Sequence, residues 1–282
     1  MKPVCNNCYD AICLIRQQSH SLGRGNSIET NKIRKMTKQI ITLIFTFYTI
    51  STFAQNKMRS VEELINNAQP GWEIVKNWID NSKNKVEVLP ADTIKSKDAI
   101  FKTQVTTRSP MGAIIYMTGG ILIDNGWIRI LGSGSTKLKR TLPEWNKGKA
   151  FEEYGLAPKY LLIADDAIGG FFLLNGGGLG TDLGMVYYFS PDNLEYVPLD
   201  LTYSDFLRFC FDGDLDKFYE NSRWKNWQDE IDKLDGDKVY NFYPYLWTEE
   251  GKDINKTSKK TVPIEEQYSL NLAFRKQLGL GK

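Results

Sequence analysis

Apolar residues recur at helical spacing in several stretches of this chain of 282 residues. One such stripe, which is typical of a helix packed on a core, consists of Trp72, Val75, Trp78 and Ile79. Ser60 and Glu63 have the spacing of a capping box, which predicts the start of a short helix before it. Further helices are predicted at 92–104, 203–211, 215–220, 224–234 and 263–278.

Apolar runs bounded by turn residues predict strands in the middle of the chain. The run 120–131 is interrupted by Asn125-Gly126, the preferred pair for a two-residue hairpin turn, and therefore predicts a β-hairpin. Other strands are predicted at 160–164, 170–174, 185–189, 194–198 and 238–243. Successive strands with tight turns favour an antiparallel meander. We therefore predict one α+β domain, with a central antiparallel sheet flanked by helices.

The first 54 residues have the pattern of an export signal. A basic cluster at 32–38 precedes the apolar run 40–50, and small residues follow at Thr52 and Ala54. This run is shorter than the roughly 20 apolar residues that span a bilayer, so we expect no stable membrane insertion after cleavage. We predict that 1–35 is an over-extended, disordered gene start before Met36, that 36–54 is a signal peptide, and that 55–282 is the domain. The product would be periplasmic or secreted; a signal anchor or a cytoplasmic chain are the alternatives.

The composition of the predicted domain excludes several classes of catalytic, metal-binding and nucleic-acid-binding site. The one histidine of the chain, His20, precedes it, so triads and metal sites that depend on histidine are excluded there. Seven of the 36 basic and two of the 34 acidic side chains fall in 1–54, which leaves 55–282 slightly acidic. Nucleic-acid binders carry a concentrated basic surface, so we expect no nucleic-acid partner. The basic stretch 252–260 is interpreted as a solvated loop.

Two adjacent carboxylates, Asp165 and Asp166, are candidates for chemistry or binding at the end of a predicted strand. Paired carboxylates can act as acid and base in glycoside hydrolysis. Neighbouring strand residues point to opposite faces, however, so Asp124 or Glu144 would have to supply the partner. The alternative interpretation is that the two aspartates accept backbone hydrogen bonds in a turn.

The other candidate residues belong to loops. The glycine-rich stretch that contains Asn175 and Gly177 lacks the phosphate-loop pattern and is better explained as a turn between antiparallel strands. Arg108 could hold an anion, although Ser109 and Pro110 beside it also have the pattern of a helix start. The Cys5-x-x-Cys8 pair lacks matching ligands, so we predict no metal and no cofactor.

Several short motifs resemble a known family: Leu89-Pro90, 104–110, Gly119-Gly120, 131–134, 142–146 and 245–251. They are similar to the domain of unknown function 2625 family over about 59–264. That resemblance implies no activity and no catalytic residues. The stretches 168–172, 186–189 and 203–207 resemble the SMI1/KNR4-like (SUKH) superfamily, whose members are α+β modules and include cytosolic immunity proteins against toxins. This second resemblance implies a SUKH-like fold and a protein partner.

Two hypotheses follow for the function. The first is a non-catalytic protein-binding domain related to toxin immunity, with Arg108, Asp165, Asp166, Asn175 and Gly177 as candidate contacts. The second is a secreted, carboxylate-dependent enzyme that acts on glycans, because tryptophan and tyrosine side chains can stack on sugars.

Overall fold

A seven-stranded antiparallel sheet forms the centre of the computed structural model, which describes residues 58–66, 68 and 70–280. The strands lie side by side in the same order as in the sequence, so the sheet is a meander. They are β1 (Val86–Pro90), β2 (Thr118–Ile123), β3 (Ile128–Leu131), β4 (Tyr160–Asp166), β5 (Phe171–Asn175), β6 (Met185–Phe189) and β7 (Tyr196–Thr202).

Both faces of this sheet are covered along its central strands. All residues of β2 and β3 are buried, and so is every residue of β4 after Tyr160. The largest side chains without exposed surface are aromatic and come from strands and helices alike, as in Trp127, Phe171, Phe172, Phe189, Phe206 and Phe211. Continuous apolar runs are what strands buried on two faces require.

Helices and one further hairpin complete the unit that the described residues form. The helices are α1 (Val61–Leu64), α2 (Gly71–Asp80), α3 (Thr93–Thr103), α4 (Pro110–Met117), α5 (Leu142–Asn146), α6 (Tyr203–Asp212), α7 (Leu215–Phe218), α8 (Trp227–Ile231) and α9 (Ile264–Gln277). A two-stranded antiparallel sheet consists of β8 (Lys238–Tyr243) and β9 (Ser258–Pro263). It is joined to the end of β4 by a hydrogen bond from the Tyr240 amide to the Ala167 carbonyl.

Side-chain caps explain where several helices begin. Ser60 and Glu63 form the expected capping box at α1, and Asp92 accepts two backbone hydrogen bonds at the start of α3. Ser109 caps α4 with Pro110 in its first turn, as the sequence predicts. Each cap satisfies amide groups that have no partner within the helix.

The α+β class, the central antiparallel sheet and its meander are confirmed. The predicted two-residue turn at Asn125-Gly126 is wrong in length, because Ile123 pairs with Ile128 and four residues lie between them. Positive φ angles at Asp124, Asn125 and Gly126 form this longer turn. The predicted strand 194–198 begins and ends later, at Tyr196–Thr202.

Two strands lie where the sequence predicted none. Strand β1 contains Glu87 and ends at Pro90, and it is an edge strand, where proline is tolerated. Strand β9 includes part of the basic stretch that was interpreted as a solvated loop. Its Lys259 lies over the rings of Trp224 and Tyr240, which is how a polar sequence forms this strand.

The predictions for 1–35 and 36–54 fall outside the described residues. Within the described part of the chain, no helix is both long enough and apolar enough to cross a bilayer.

Candidate functional site

Asp165 and Asp166 end β4 on opposite faces of the sheet, and both side chains have no exposed surface. Asp165 lies beside Arg129, its cross-strand neighbour on β3, and also binds Arg140. Nη2 of Arg129 lies 2.6 Å from Oδ1 of Asp165, which is an ion-pair distance. The hydrogen bond of Nη2, however, is donated to the carbonyl oxygen of Asp166, so Oδ1 has no hydrogen-bond partner in the described residues. Nη1 of Arg140 donates to Oδ2 across 2.6 Å. The buried carboxylate of Asp165 therefore forms ion pairs with two arginines.

Arg140 connects this pair to the segment before β8. Its Nε donates to Oδ1 of Asp237 across 2.9 Å, and its Nη2 donates to the Gly236 carbonyl. The guanidinium also lies 4.8 Å from the centre of the Trp145 ring. Burial acts to lower the pKa of Arg140, but Asp165 and Asp237 outweigh it and raise that pKa.

Arg129 is more completely enclosed, with a side chain only 1% exposed. Its Nη1 donates to the Lys238 carbonyl across 2.6 Å, so it also holds the start of β8. Burial lowers the pKa of Arg129 against the attraction of Asp165. A guanidinium still stays protonated in proteins, so Asp165 and the arginines form a buried ionic network.

On the other face, Asp166 closes the turn between β4 and β5. Its Oδ1 accepts hydrogen bonds from the Ile168 and Gly170 amides, and its Oδ2 accepts from the hydroxyls of Tyr188 and Tyr219. Burial nevertheless raises the pKa of Asp166 above its usual range. The contacts match the interpretation of a turn aspartate that accepts backbone hydrogen bonds.

The positions of Asp165 and Asp166 argue against acid–base catalysis by this pair. They lie on opposite faces, and neither is open to solvent or to a substrate in this conformation. The two acids considered as partners bind elsewhere: Asp124 pairs with Arg223 at 2.7 Å, and the Glu144 carboxylate accepts a hydrogen bond from the hydroxyl of Thr141, the N-cap of α5. The described residues also hold no cluster of His, Cys, Asp or Glu side chains that could bind a metal.

Asn175 organises the loop between β5 and β6, which we call the Asn175 loop (176–184). Its Nδ2 donates to the carbonyls of Gly180 and Asp182 and to Oδ1 of Asp182. Its Oδ1 accepts from the amides of Gly177 and Leu179. The Asn175 side chain is 2% exposed, so these hydrogen bonds form inside the loop rather than at its surface.

The outer surface of the Asn175 loop is exposed. Gly177 has a φ of 106°, a conformation that favours glycine, and Leu183 is 67% exposed. The Tyr187 hydroxyl donates to Asp182 across 2.7 Å, and the Lys159 carbonyl accepts from the amides of Gly176 and Gly178. The loop is thus braced from inside while it presents an apolar side chain to solvent.

Arg108 lies apart from both groups. It is exposed in the turn before α4, and its side chain has no hydrogen-bond or ionic partner in the described ranges. The backbone around it is fixed, since the Gly71 amide donates to the Thr107 carbonyl. The structure therefore joins Asn175 to Gly177 and separates the side chains of Asp165 and Asp166 on opposite faces of the sheet. It shows no contact between Arg108 and any of them.

Sequence reasoning missed the side chains that engage the two aspartates, which are Arg129, Arg140, Tyr188, Tyr219 and Asp237. One signal was present, because Arg129 interrupts the apolar strand Ile128–Leu131. A charge in a buried strand requires a buried partner. The acid at the end of the next strand is that partner.

Comparison with known proteins gives a family and two relatives. The family described as "Protein of unknown function DUF2625" matches residues 61–267. An uncharacterized protein of Haemophilus influenzae is 45% identical over 223 residues, which cover 79% of this chain and 98% of that protein. A putative uncharacterized protein of Escherichia coli, YbfG, is 42% identical over 218 residues, which cover 77% of this chain and 99% of that protein.

Proposed function

The chain belongs to the DUF2625 family of proteins of unknown function, and from its own side chains we infer that it is a non-catalytic protein-binding domain. The observation that carries this proposal is the Asn175 loop. A loop held by five side-chain hydrogen bonds loses little conformational entropy when a partner binds. Leu183 on its surface offers an apolar contact of the kind that partners bury.

The carboxylate-dependent glycan enzyme has less support. An acid and a base must both reach the substrate, directly or through one water. Asp165 is held by two arginines and Asp166 by two tyrosines and two amides, all away from solvent. An enzyme of this type would need carboxylates other than this pair.

Toxin immunity and export are the more specific parts of the proposal. Support for toxin immunity comes from the SUKH-like stretches 168–172, 186–189 and 203–207, and support for export comes from the signal-like pattern at 36–54. The two parts point to different partners. A cytosolic chain would meet a toxin inside the cell, whereas an exported chain would meet an envelope or extracellular protein.

Site-specific crosslinking tests the protein-binding proposal. A photo-reactive residue replaces Leu183 in the full chain in native cells, and Ile94, which is 81% exposed on α3, is the matched control position. We expect a discrete protein adduct from position 183 and none from position 94. Leu183→Asp should then weaken binding of the identified partner by about tenfold or more, as loss of a central contact does.

The same experiments can also contradict the protein-binding proposal. Equal adducts at both positions, or none at either, would remove the Asn175 loop as the binding surface. If the wild-type chain also cleaved a glycan and Asp165→Asn abolished that cleavage without unfolding the protein, the glycan enzyme would replace the binding domain.

A further inference from the structure

A second candidate site lies at one end of the central sheet, away from the Asn175 loop. Four separate segments meet there: 83–85 before β1, the turn at 124–125, the stretch 213–216 that leads into α7, and the region of Arg223 and Trp227. They enclose an open pocket of about 280 Å³. We call it the Arg223 pocket.

The walls of this pocket are held in place by hydrogen bonds to the main chain. The amides of Lys83 and Asn84 both donate to the Phe211 carbonyl. The Asn84 side chain donates to the carbonyls of Cys210 and Gly213, across 2.9 and 3.0 Å. A pocket with such walls is formed before any ligand arrives, which is the usual state of small-molecule sites.

Arg223 is the central cation of the pocket and is held from several sides. Its guanidinium lies 4.1 Å from the ring centre of Trp227 and also over Trp127 and Tyr219. It pairs with Asp124 at 2.7 Å and with Asp216. The side chain is 7% exposed, and within the described residues its Nε has no hydrogen-bond partner. The described residues therefore leave the Nε donor of Arg223 without an acceptor.

The charges around the pocket balance. The basic side chains Lys83, Lys85 and Arg223 face the carboxylates Asp124, Asp214 and Asp216, so the lining has no net formal charge. The remaining polar lining consists of the amides of Asn84, Asn125 and Gln228. In the described part of the chain, the side chains of Lys83 and Gln228 have no internal partner.

This lining has a clear chemical preference. It offers donors and acceptors side by side without favouring either sign of charge, and a hydroxyl group can both donate and accept. Its volume is just below the range of about 300–1,000 Å³ for drug-sized ligands, so the ligand is small. We propose that the Arg223 pocket binds a small, uncharged, polyhydroxylated molecule, such as a neutral monosaccharide or the terminal unit of a glycan.

Ligand-detected NMR and calorimetry on the purified full chain test this proposal. The probes are glucose, galactose, mannose and sorbitol, with glucuronate and glucosamine as charged counterparts. We expect at least one neutral probe to bind more tightly than both charged ones. Asp216→Asn replaces a carboxylate acceptor of the lining by an amide, and Gln228→Ala removes an amide from it. Each should weaken that binding by about three- to tenfold, the effect of one hydrogen bond.

Two controls make the result decisive. Asp98→Asn removes an exposed carboxylate that is also paired with a lysine but lies on α3, and it should leave binding unchanged. Asp216 is 88% exposed, so its variant is expected to fold, and Gln228→Ala replaces it if it does not. The proposal is overturned if no neutral probe binds, if a charged probe binds more tightly, or if both pocket variants bind as wild type. Leu183→Asp should not alter sugar binding, so this site and the protein-binding proposal can fail separately.

Discussion

Arg129 and Asp165 are charged side chains with almost no contact with water, so each depends on the other. Asp165→Asn would leave Arg129 and Arg140 enclosed without their shared carboxylate. Removal of one partner from a buried ion pair costs about 3–5 kcal/mol, and we expect a loss of this size in the free energy of unfolding. Urea denaturation measures it.

The control for that substitution is Asp98→Asn, which breaks an exposed pair on α3. Exposed pairs contribute at most about 1 kcal/mol, so the control should stay close to the wild type. Similar losses for both variants would mean that the buried network does not stabilise the fold more than a surface pair.

Because Asp166 is buried, we expect the free energy of unfolding to depend on pH. Burial raises its native pKa, so the folded protein binds this proton more tightly than the unfolded chain. Its contribution to stability is therefore fully present below the ordinary carboxyl pKa and is lost as pH rises through the native pKa. Asp166→Asn removes the titration, so the unfolding free energy of the wild type relative to this variant should fall as pH rises.

Denaturation series from about pH 4 to about pH 8 test that sign. Asp232→Asn, which changes an exposed aspartate, controls for the loss of one formal charge. A difference between wild type and Asp166→Asn that stays constant, or that grows with pH, would contradict the expected direction.

At the level of residues, the sequence reveals the two aspartates but not what holds them. Asp165 and Asp166 are visible at the end of an apolar run, and alternation along a strand separates their faces. Arg140 and Asp237 approach from segments distant in the chain, and no local pattern indicates that they meet. The Arg223 pocket was missed for the same reason, since four separate segments form it.

Among the connecting elements, the Asn175 loop predicts a local effect on dynamics. Asn175→Ala removes all five hydrogen bonds of that side chain, so the amides of Gly177 and Leu179 should exchange with solvent faster. Hydrogen-exchange mass spectrometry on the segment 176–184 measures the change. We expect β5 and β6 on either side to keep their protection.

Asn193→Ala is the matched control in the next turn, where the side chain accepts one hydrogen bond from Glu195. It should leave exchange in the Asn175 loop unchanged. Unaltered exchange in 176–184 for Asn175→Ala would contradict the prediction, because it would show that the hydrogen bonds of Asn175 are not what holds the loop.

Helix α4 makes a close contact that can be tested with one methyl group. A Cβ at Gly112 would lie 2.1 Å from the Thr106 carbonyl oxygen, so Gly112→Ala must displace the backbone of the preceding turn. Overpacking of this kind costs about 1–3 kcal/mol, which should appear as a lower melting temperature.

Gly184→Ala separates crowding from backbone strain. Gly184 has a φ of 78° and nothing within 4 Å of an added Cβ, so its variant meets only the strain of a left-handed conformation. We expect a larger decrease in melting temperature for Gly112→Ala. The reverse order would mean that α4 can shift away from Thr106 without loss.

Elements were predictable where their signals were local. The caps Ser60, Asp92 and Ser109 lie next to the helices that they start. Strands β1 and β9 were not predictable, because pairing with distant segments overrides their polar residues and prolines.

For the whole molecule, the predicted export signal leads to a measurement on the native protein. Cleavage after Ala54 should give an intact mass that begins at Gln55, found in the periplasmic or extracellular fraction. Mass spectrometry of separated cell fractions tests this. An uncleaved chain in the cytosol would contradict export and would make an intracellular toxin the first partner to seek.

The order of the central sheet has a consequence for how it forms. Each strand from β1 to β7 hydrogen-bonds only to strands that are its neighbours along the chain within that sheet. Four of the connections between paired strands, 124–127, 167–170, 176–184 and 190–195, are short, and short closures favour rapid folding. The other two, 91–117 and 132–159, are long and contain helices. During synthesis, each newly emerged strand finds its template already in place, so the sheet can grow from its N-terminal edge while the rest of the chain is still being made.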